Sequence, residues 1–266
     1  MFIGRDTIYE IDCLEGMKSI PDASIDMVFC DLPYGVTKGS WDVVIPADKL
    51  WVQYERIIKS NGAILLFGQD KFTARMMLSN EKLHRYNIIW KKVLTTGFLN
   101  ANRMPLRVHE DIMVFYKKLP VYNPERVKGD PNHNHKRLKK GDKATDQFSS
   151  DLGYVGRVYG KYKLFDNLSD LYYPTSVWEF SRPHPSVALS STEKPIELCR
   201  YVIRTYSNKG DTVLDNCCGS GSIPIAAKME GRHYIGMDNG KCDRKKSKYY
   251  GLSWAEVTRR RLAEAS

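Results

Sequence analysis

The stretch from Thr212 to Asp238 constrains the fold more than any other part of the chain. Thr212-Val213-Leu214-Asp215 is a short β-branched run, and Asn216-Cys217-Cys218-Gly219-Ser220-Gly221-Ser222 is a tight loop of mostly small residues. A helical pattern follows from Ile223 to Glu230, and His233-Tyr234-Ile235-Gly236-Met237-Asp238 reads as a second strand ending in an acid. Strand, glycine turn, helix, strand is the repeating unit of a parallel sheet. The glycines let backbone approach a ligand without Cβ interference, and the helix start offers unpaired N–H groups to a carboxylate or phosphate. Asp238 lies about 20 residues beyond the glycines, where nucleoside sites place a ribose-binding carboxylate. The spacing predicts a nucleoside cofactor.

The same alternation runs through the rest of the chain. Strands are expected at 7–12, 26–30, 63–67, 86–90, 111–117, 212–215 and 234–237. Between them, 47–59 carries Leu50, Trp51, Tyr54, Ile57 and Ile58 at spacings of three and four, and 196–206 shows the same period. The fold class that follows is α/β, a doubly wound, mostly parallel, seven-stranded sheet. In such sheets functional residues gather at the carboxyl ends of strands, and Asp12, Asp31, Asp215 and Asp238 all fall at such ends.

Asp31-Leu32-Pro33-Tyr34 directly follows the apolar run Met27-Val28-Phe29-Cys30. An acidic acceptor, a proline-stiffened turn exposing backbone carbonyls and an aromatic plane suit the grip and activation of an amino group on a planar base. An ordinary turn after a strand uses the same residue types. The cofactor-type loop further along the chain favours the chemical reading.

Taken together, the two segments resemble the amino-methyltransferases that use S-adenosylmethionine, with their Asp-Pro-Pro-Tyr tetrad and Asp-Pro-Phe-x-Gly-Ser-Gly-Thr loop. The tetrad precedes the loop here, with a recognition region between, which is the order of the beta-class DNA methyltransferases. The resemblance runs from about Ile3 to Leu262 and includes Ile8 to Met17, Lys59 to Ala63 and Thr192-Glu193-Lys194-Pro195. Three departures stand out: Leu32 for the first proline, Asn216-Cys217 for Pro-Phe, and Asp238 where Glu is common. Leu32 keeps the backbone carbonyl that matters, and Cys217 removes an apolar plate beside the cofactor's methionine part.

The resemblance implies a Rossmann-like methyltransferase domain with catalytic residues Asp31, Leu32, Pro33 and Tyr34. It implies S-adenosylmethionine held by Asp12 and Cys13, by the loop Asp215, Cys217, Gly219, Ser220, Gly221 and Ser222, by Asp238 on the ribose, and by Asp31 itself. Lys194 either meets the methionine carboxylate or caps the cleft. The expected division is a catalytic half over 1–118, a target-recognition insert over 119–181 and a cofactor-binding half over 182–266. Lys91, Asn100, Arg103, Arg107 and His109 are implied contacts near the extruded base and the phosphates. The plainer reading pairs these cations with Glu110 and Asp111 on a surface.

Charge supports a polyanionic partner. Lys and Arg number 41 against 31 Asp and Glu, for a net +10. Residues 126–143 hold seven Lys or Arg against two acids, and Lys136, Arg137, Lys139 and Lys140 form a loop suited to phosphates, or else a solvated surface. His133 and His135 there read as polar loop residues, not as metal ligands. Arg259, Arg260 and Arg261 read as an exposed helix face. The six cysteines include no CxxC pair, so no metal site is expected, and the absence of a Pro-Cys dipeptide argues against cytosine C5 chemistry. No apolar run of membrane-spanning length occurs and the first residues lead straight into a strand, so a cytoplasmic protein gathered at the nucleoid by its DNA substrate is expected.

The expected reaction is transfer of a methyl group to adenine N6 of a base flipped out of duplex DNA. The same geometry serves cytosine N4, although enzymes of that kind commonly carry Ser at the position of Asp31. RNA or protein-glutamine methylation, a catalytically silent DNA-binding module and a nicotinamide dehydrogenase are the rivals. The last lacks its usual third glycine, since Gly219-Ser220-Gly221 is followed by Ser222-Ile223-Pro224. A homodimer and a cognate restriction endonuclease are expected partners from the resemblance alone, and the recognition sequence is not legible.

Overall fold

The computed structural model describes residues 3–37, 39, 41–128, 171–184, 186–190 and 192–265. Contacts divide the chain into two compact units, one of Met1–Asn123 with Thr175–Ser266 and one of Pro124–Pro174. The expected insert over 119–181 is wider than this second unit at both ends.

In the larger unit the described strands are β1 (Thr7–Tyr9), β2 (Ile25–Cys30), β3 (Ile58–Gly68), β4 (His84–Thr96) and β5 (Arg107–Phe115). In the smaller unit β6 (Val127–Lys128) pairs antiparallel with β7 (Leu171–Tyr172), and Arg126 donates to the Tyr173 hydroxyl at 2.9 Å. The larger unit resumes with β8 (Val177–Glu179), β9 (Thr212–Asp215) and β10 (His233–Met237). Its helices are α1 (Cys13–Met17), α2 (Ala47–Ile57), α3 (Asp70–Ser79), α4 (Ile196–Tyr206), α5 (Ser222–Met229) and α6 (Trp254–Glu264).

The strands form one eight-stranded sheet in the order β1-β10-β9-β2-β3-β5-β4-β8. Pairing is parallel from β1 through β3, antiparallel on both sides of β5, and parallel again between β4 and β8. The sheet therefore has one strand more than the seven expected. β8 is only three residues long and pairs Trp178 with Trp90, which is too short to show a period in sequence.

Side chains of the central strands alternate between two buried layers. Val28, Cys30, Ile64, Leu66, Met113 and Phe115 pack with α1, α2 and α3, whereas Met27, Phe29, Leu65, Phe67, Ile112 and Val114 pack with α4 and α5. Both faces are covered, so these strands read as continuous apolar runs. Pro46 and Pro195 stand at the N-caps of α2 and α4, where a missing N–H costs no helix bond. The expected helix 47–59 stops at Ile57 because Ile58 is already extended and opens β3. β4 and β5 run further than expected on the side of Lys91, Lys92 and Arg107, where polar residues hide the strand pattern. Among the described residues no helix is long and apolar enough to cross a membrane.

Candidate functional site

Strand order reverses between β9 and β2. From β9 the chain steps outward to β10, and from β2 it steps the other way to β3, while β9 and β2 themselves pair in parallel. Loops leaving such neighbours diverge and open a crevice beyond their carboxyl ends. A cleft of about 1330 Å³ lies there, and Asp12, Asp31, Asp215 and Asp238 all line it. Four acids distant in sequence meet at one rim.

The tetrad forms the floor on the β2 side. Leu32, in place of the expected proline, sends its side chain into the core beneath the cleft. The Tyr34 ring stacks on Phe72 with centroids 4.6 Å apart, and its hydroxyl donates to Asp31 Oδ1 at 2.9 Å. The following loop is tied back by buried Asp42, whose carboxylate accepts from the N–H groups of Gly35, Val36 and Thr37 at 2.7, 2.8 and 2.6 Å. Burial opposes the charge on Asp42, but the backbone N–H groups of Thr37, Gly35 and Val36 outweigh it and hold the carboxyl below the usual range.

Lys194 reaches the same floor. Its Nζ donates to Asp31 Oδ2 at 2.5 Å and lies 3.4 Å from Glu110 Oε2, while Lys92 pairs with Glu110 Oε1. The ammonium is also 4.9 Å from the centre of the Phe67 ring. Burial pulls the Lys194 pKa down, but the Asp31 and Glu110 carboxylates win, and it is pushed up to about 12. For Asp31 burial dominates over the Lys194 attraction and raises the carboxyl. For Glu110 burial is outweighed by Lys194 and Lys92, which hold the carboxyl below its ordinary value.

The glycine loop forms the opposite wall. Gly221 has φ +87°, and a Cβ there would come within 2.5 Å of Thr258, so only glycine fits. Gly219, at φ +49°, has nothing within 4 Å of where a Cβ would stand. Asp238 accepts from Gly219 N–H at 2.8 Å and from Gly240 N–H at 2.7 Å, and burial raises its carboxyl despite both bonds. Burial likewise pushes Asp215 up to about 8. Asp12 caps α1 through Oδ1 alone, accepting from Leu14 and Glu15. The wall fits a nucleoside with a polar tail: Ser222 presents a buried hydroxyl with no hydrogen-bond partner, the space beside the Gly219 Cα is clear, and Asp12, Asp215 and Asp238 offer acceptors.

Several structural supports of the site carry no signal in sequence. Asn216, read as a departure from a proline, accepts from the Tyr54 hydroxyl at 2.6 Å and anchors the loop to α2. Cys217 lies beside Cys13 and Cys30, and burial pushes the Cys30 thiol up to about 12. The arginines expected on an exposed face divide differently. Arg259 donates to the Ile8 carbonyl yet stays exposed and pairs with Glu256 at 3.5 Å, Arg260 is exposed and bonds the same Glu256 at 2.8 Å, and Arg261 turns to the Ser220 carbonyl at 2.5 Å with an ion pair to Glu193 at 2.9 Å. The period of α6 shows a charged face but not the carbonyls above it.

The expected nucleic-acid contacts are spread out. Arg107 lines the cleft and pairs with Asp70 at 3.5 Å, while Lys91 pairs with Glu179 on the surface. Asn100 and Arg103 are exposed on the turn that joins β4 to β5, and His109 is exposed on β5. Lys92, by contrast, is buried against Glu110, not paired on a surface. Lys136, Arg137, Lys139 and Lys140 lie outside the described residues.

Known proteins share both the sequence and the fold. The chain is 26% identical over 254 residues to the type II methyltransferase M1.MboII of Moraxella bovis, covering 87% of this chain and 90% of the relative. It is also 26% identical over 251 residues to M.HpaI of Haemophilus parainfluenzae, covering 86% and 69%. Among solved structures, an M1.HpyAVI–SAM complex superposes with a TM-score of 0.59 at 18% identity, over 96% of this chain and 98% of that one. The cytosine-N4-specific PvuII DNA methyltransferase gives 0.60 at 13%, over 100% and 95%. A family model described as DNA methylase, of the N6 and N4 type, matches residues 25–243, and with the acid-lined cleft at the switch point it makes the chain a member of that DNA methylase family.

Proposed function

We propose that the protein transfers a methyl group from S-adenosylmethionine to adenine N6 of a base rotated out of duplex DNA. The observation that carries this reading is the position of Asp31. Its carboxylate stands at the end of β2, beside Tyr34 and across the switch point from the Gly219–Gly221 loop. Asp238 and Asp12 serve the ribose and the adenine amine, the Asp215 to Ser222 loop serves the methionine part, and Ser222 is an unpaired hydroxyl for it. The bound cofactor supplies a methyl group on a positively charged sulfur and leaves as the neutral thioether.

The residues of the chain do the rest. Asp31 and the carbonyl of Leu32 or Pro33 accept the N6 hydrogens, which draws the nitrogen lone pair out of the ring and towards the methyl group. Asp31 then passes the surplus proton to solvent. Tyr34 has one ring face on Phe72 and offers the other to the base. Such stacking contributes about 1 to 3 kcal/mol, against an extrusion cost of a few kcal/mol. An aspartate at position 31 supports adenine over cytosine. Soluble residence with the DNA, a homodimer and a restriction endonuclease of matching specificity extend the same reading.

The test is transfer of labelled methyl groups to DNA, followed by digestion to nucleosides. N6-methyldeoxyadenosine is the expected product, N4-methyldeoxycytidine overturns the choice of base, and no labelled nucleoside overturns the reaction.

A further inference from the structure

We propose that Glu110 is a positioning residue that takes over the Lys194 ammonium when the target amine takes Asp31. This rests on the reading of Asp31 above. Both oxygens of Asp31 are committed in the structure, Oδ1 to the Tyr34 hydroxyl and Oδ2 to Lys194. Of the roughly four lone-pair sites of the carboxylate two are taken, and on Oδ2 the ammonium competes with the N–H donors of an incoming amine. Drawing Lys194 off Oδ2 frees that oxygen for the amine.

Its surroundings allow few destinations. The Lys194 side chain is 7% exposed, so its charge cannot turn to water without rearrangement, and an unpaired buried ammonium is strongly disfavoured. The Thr192 carbonyl, 3.4 Å from Nζ, is neutral, and the Phe67 ring offers only its face. Glu110 Oε2 is anionic, buried, 3.4 Å from Nζ and makes no hydrogen bond. That oxygen is an acceptor held in reserve. Lys92 pairs with Oε1, so the carboxylate is fixed with one oxygen engaged and one available. A movement of less than about 1 Å brings Nζ to the usual length of a charge-assisted bond. No proton changes hands, and Lys194 remains charged in either seat. β5 carries Glu110 and Asp31 directly follows β2, so the ammonium shifts between groups set by two strands of one sheet.

The experiment measures single-turnover methylation of DNA together with dissociation constants for S-adenosylmethionine and for DNA. Wild-type activity and its loss in Asp31→Ala establish the underlying reading first, so a failure there is separate from a failure here. For Glu110→Gln the rate is expected to fall by about tenfold or more while both dissociation constants stay within about twofold, and Glu110→Asp recovers part of the rate. In a Lys194→Met background, with no ammonium to reseat, the Glu110→Gln penalty is expected to shrink below about threefold. A wild-type rate in Glu110→Gln, or the same penalty without Lys194, overturns the proposal. Where circular dichroism shows that Glu110→Gln does not fold, or where Lys194→Met is silent, Glu110→Asp decides: a reduced rate with unchanged binding supports the role, and a wild-type rate overturns it.

Discussion

At the scale of single residues the site combines groups held charged with groups held neutral. Asp31→Ala is expected to keep the fold, because Lys194 retains Glu110 as a partner, and to keep cofactor binding largely intact. Its methylation rate should drop on the order of 10²- to 10⁴-fold, the range associated with a general base; undiminished transfer in the variant sinks the mechanism. Because burial raises the Asp31 carboxyl, its protonation begins above the ordinary aspartate value of 3.8, and the acid limb of the single-turnover rate should lie above that value. Asp215 gives the opposite kind of signal, in stability. Its folded carboxyl is pushed up to about 8, so the folded state holds a proton that the unfolded chain has released between its ordinary value and 8, and stability from this group falls as pH rises through that window. Asp215→Asn removes the titration. The variant's melting temperature relative to wild type should therefore climb from pH 5 to about pH 8, and a constant difference refutes the assignment.

At the scale of elements, the loops are fixed by bonds that cross long stretches of chain. Tyr54 on α2 holds Asn216 in the glycine loop. Tyr54→Phe leaves a buried acceptor unsatisfied and is expected to cost about 1 to 3 kcal/mol in urea unfolding, with weaker cofactor binding. Asp42→Ala frees three N–H groups behind the tetrad, so it should lower the methylation rate far more than it weakens cofactor binding, which single-turnover and equilibrium measurements separate. These bonds mark the limit of what is legible in the sequence. Local pattern shows α4 at its true ends, the strand leading to Asp31 and the glycine turn, because apolar period and turn chemistry are written in neighbouring residues. It does not show Asn216 as an anchor, Arg261 on the Ser220 carbonyl or Glu110 beside Lys194, since each depends on a partner brought near only by the sheet. β8 escapes for a related reason: its three residues are a strand by virtue of pairing with β4, not by any period of their own.

At the scale of the whole molecule, the net charge of +10 and the family membership point to a long polyanion as the partner surface. DNA affinity should fall linearly on a log–log plot as salt rises, as counterions are released. Replacing Lys136, Arg137, Lys139 and Lys140 together by Ala should weaken binding evenly across sequences and make that slope shallower, by about 0.9 for each phosphate that the variant no longer neutralises. An unchanged slope in fluorescence titrations removes those four residues from the interface.

The buried ions on the cleft floor have a consequence for what the pocket admits. Asp31 and Glu110 are matched by Lys92 and Lys194, two anions against two cations. With that quartet balanced, the floor itself adds no net charge to draw a phosphate, and an electrically neutral aromatic ring can meet it without a charge having to follow. The attraction that gathers the polymer is left to the outer surface, so capture of the strand and admission of the base are governed by different residues.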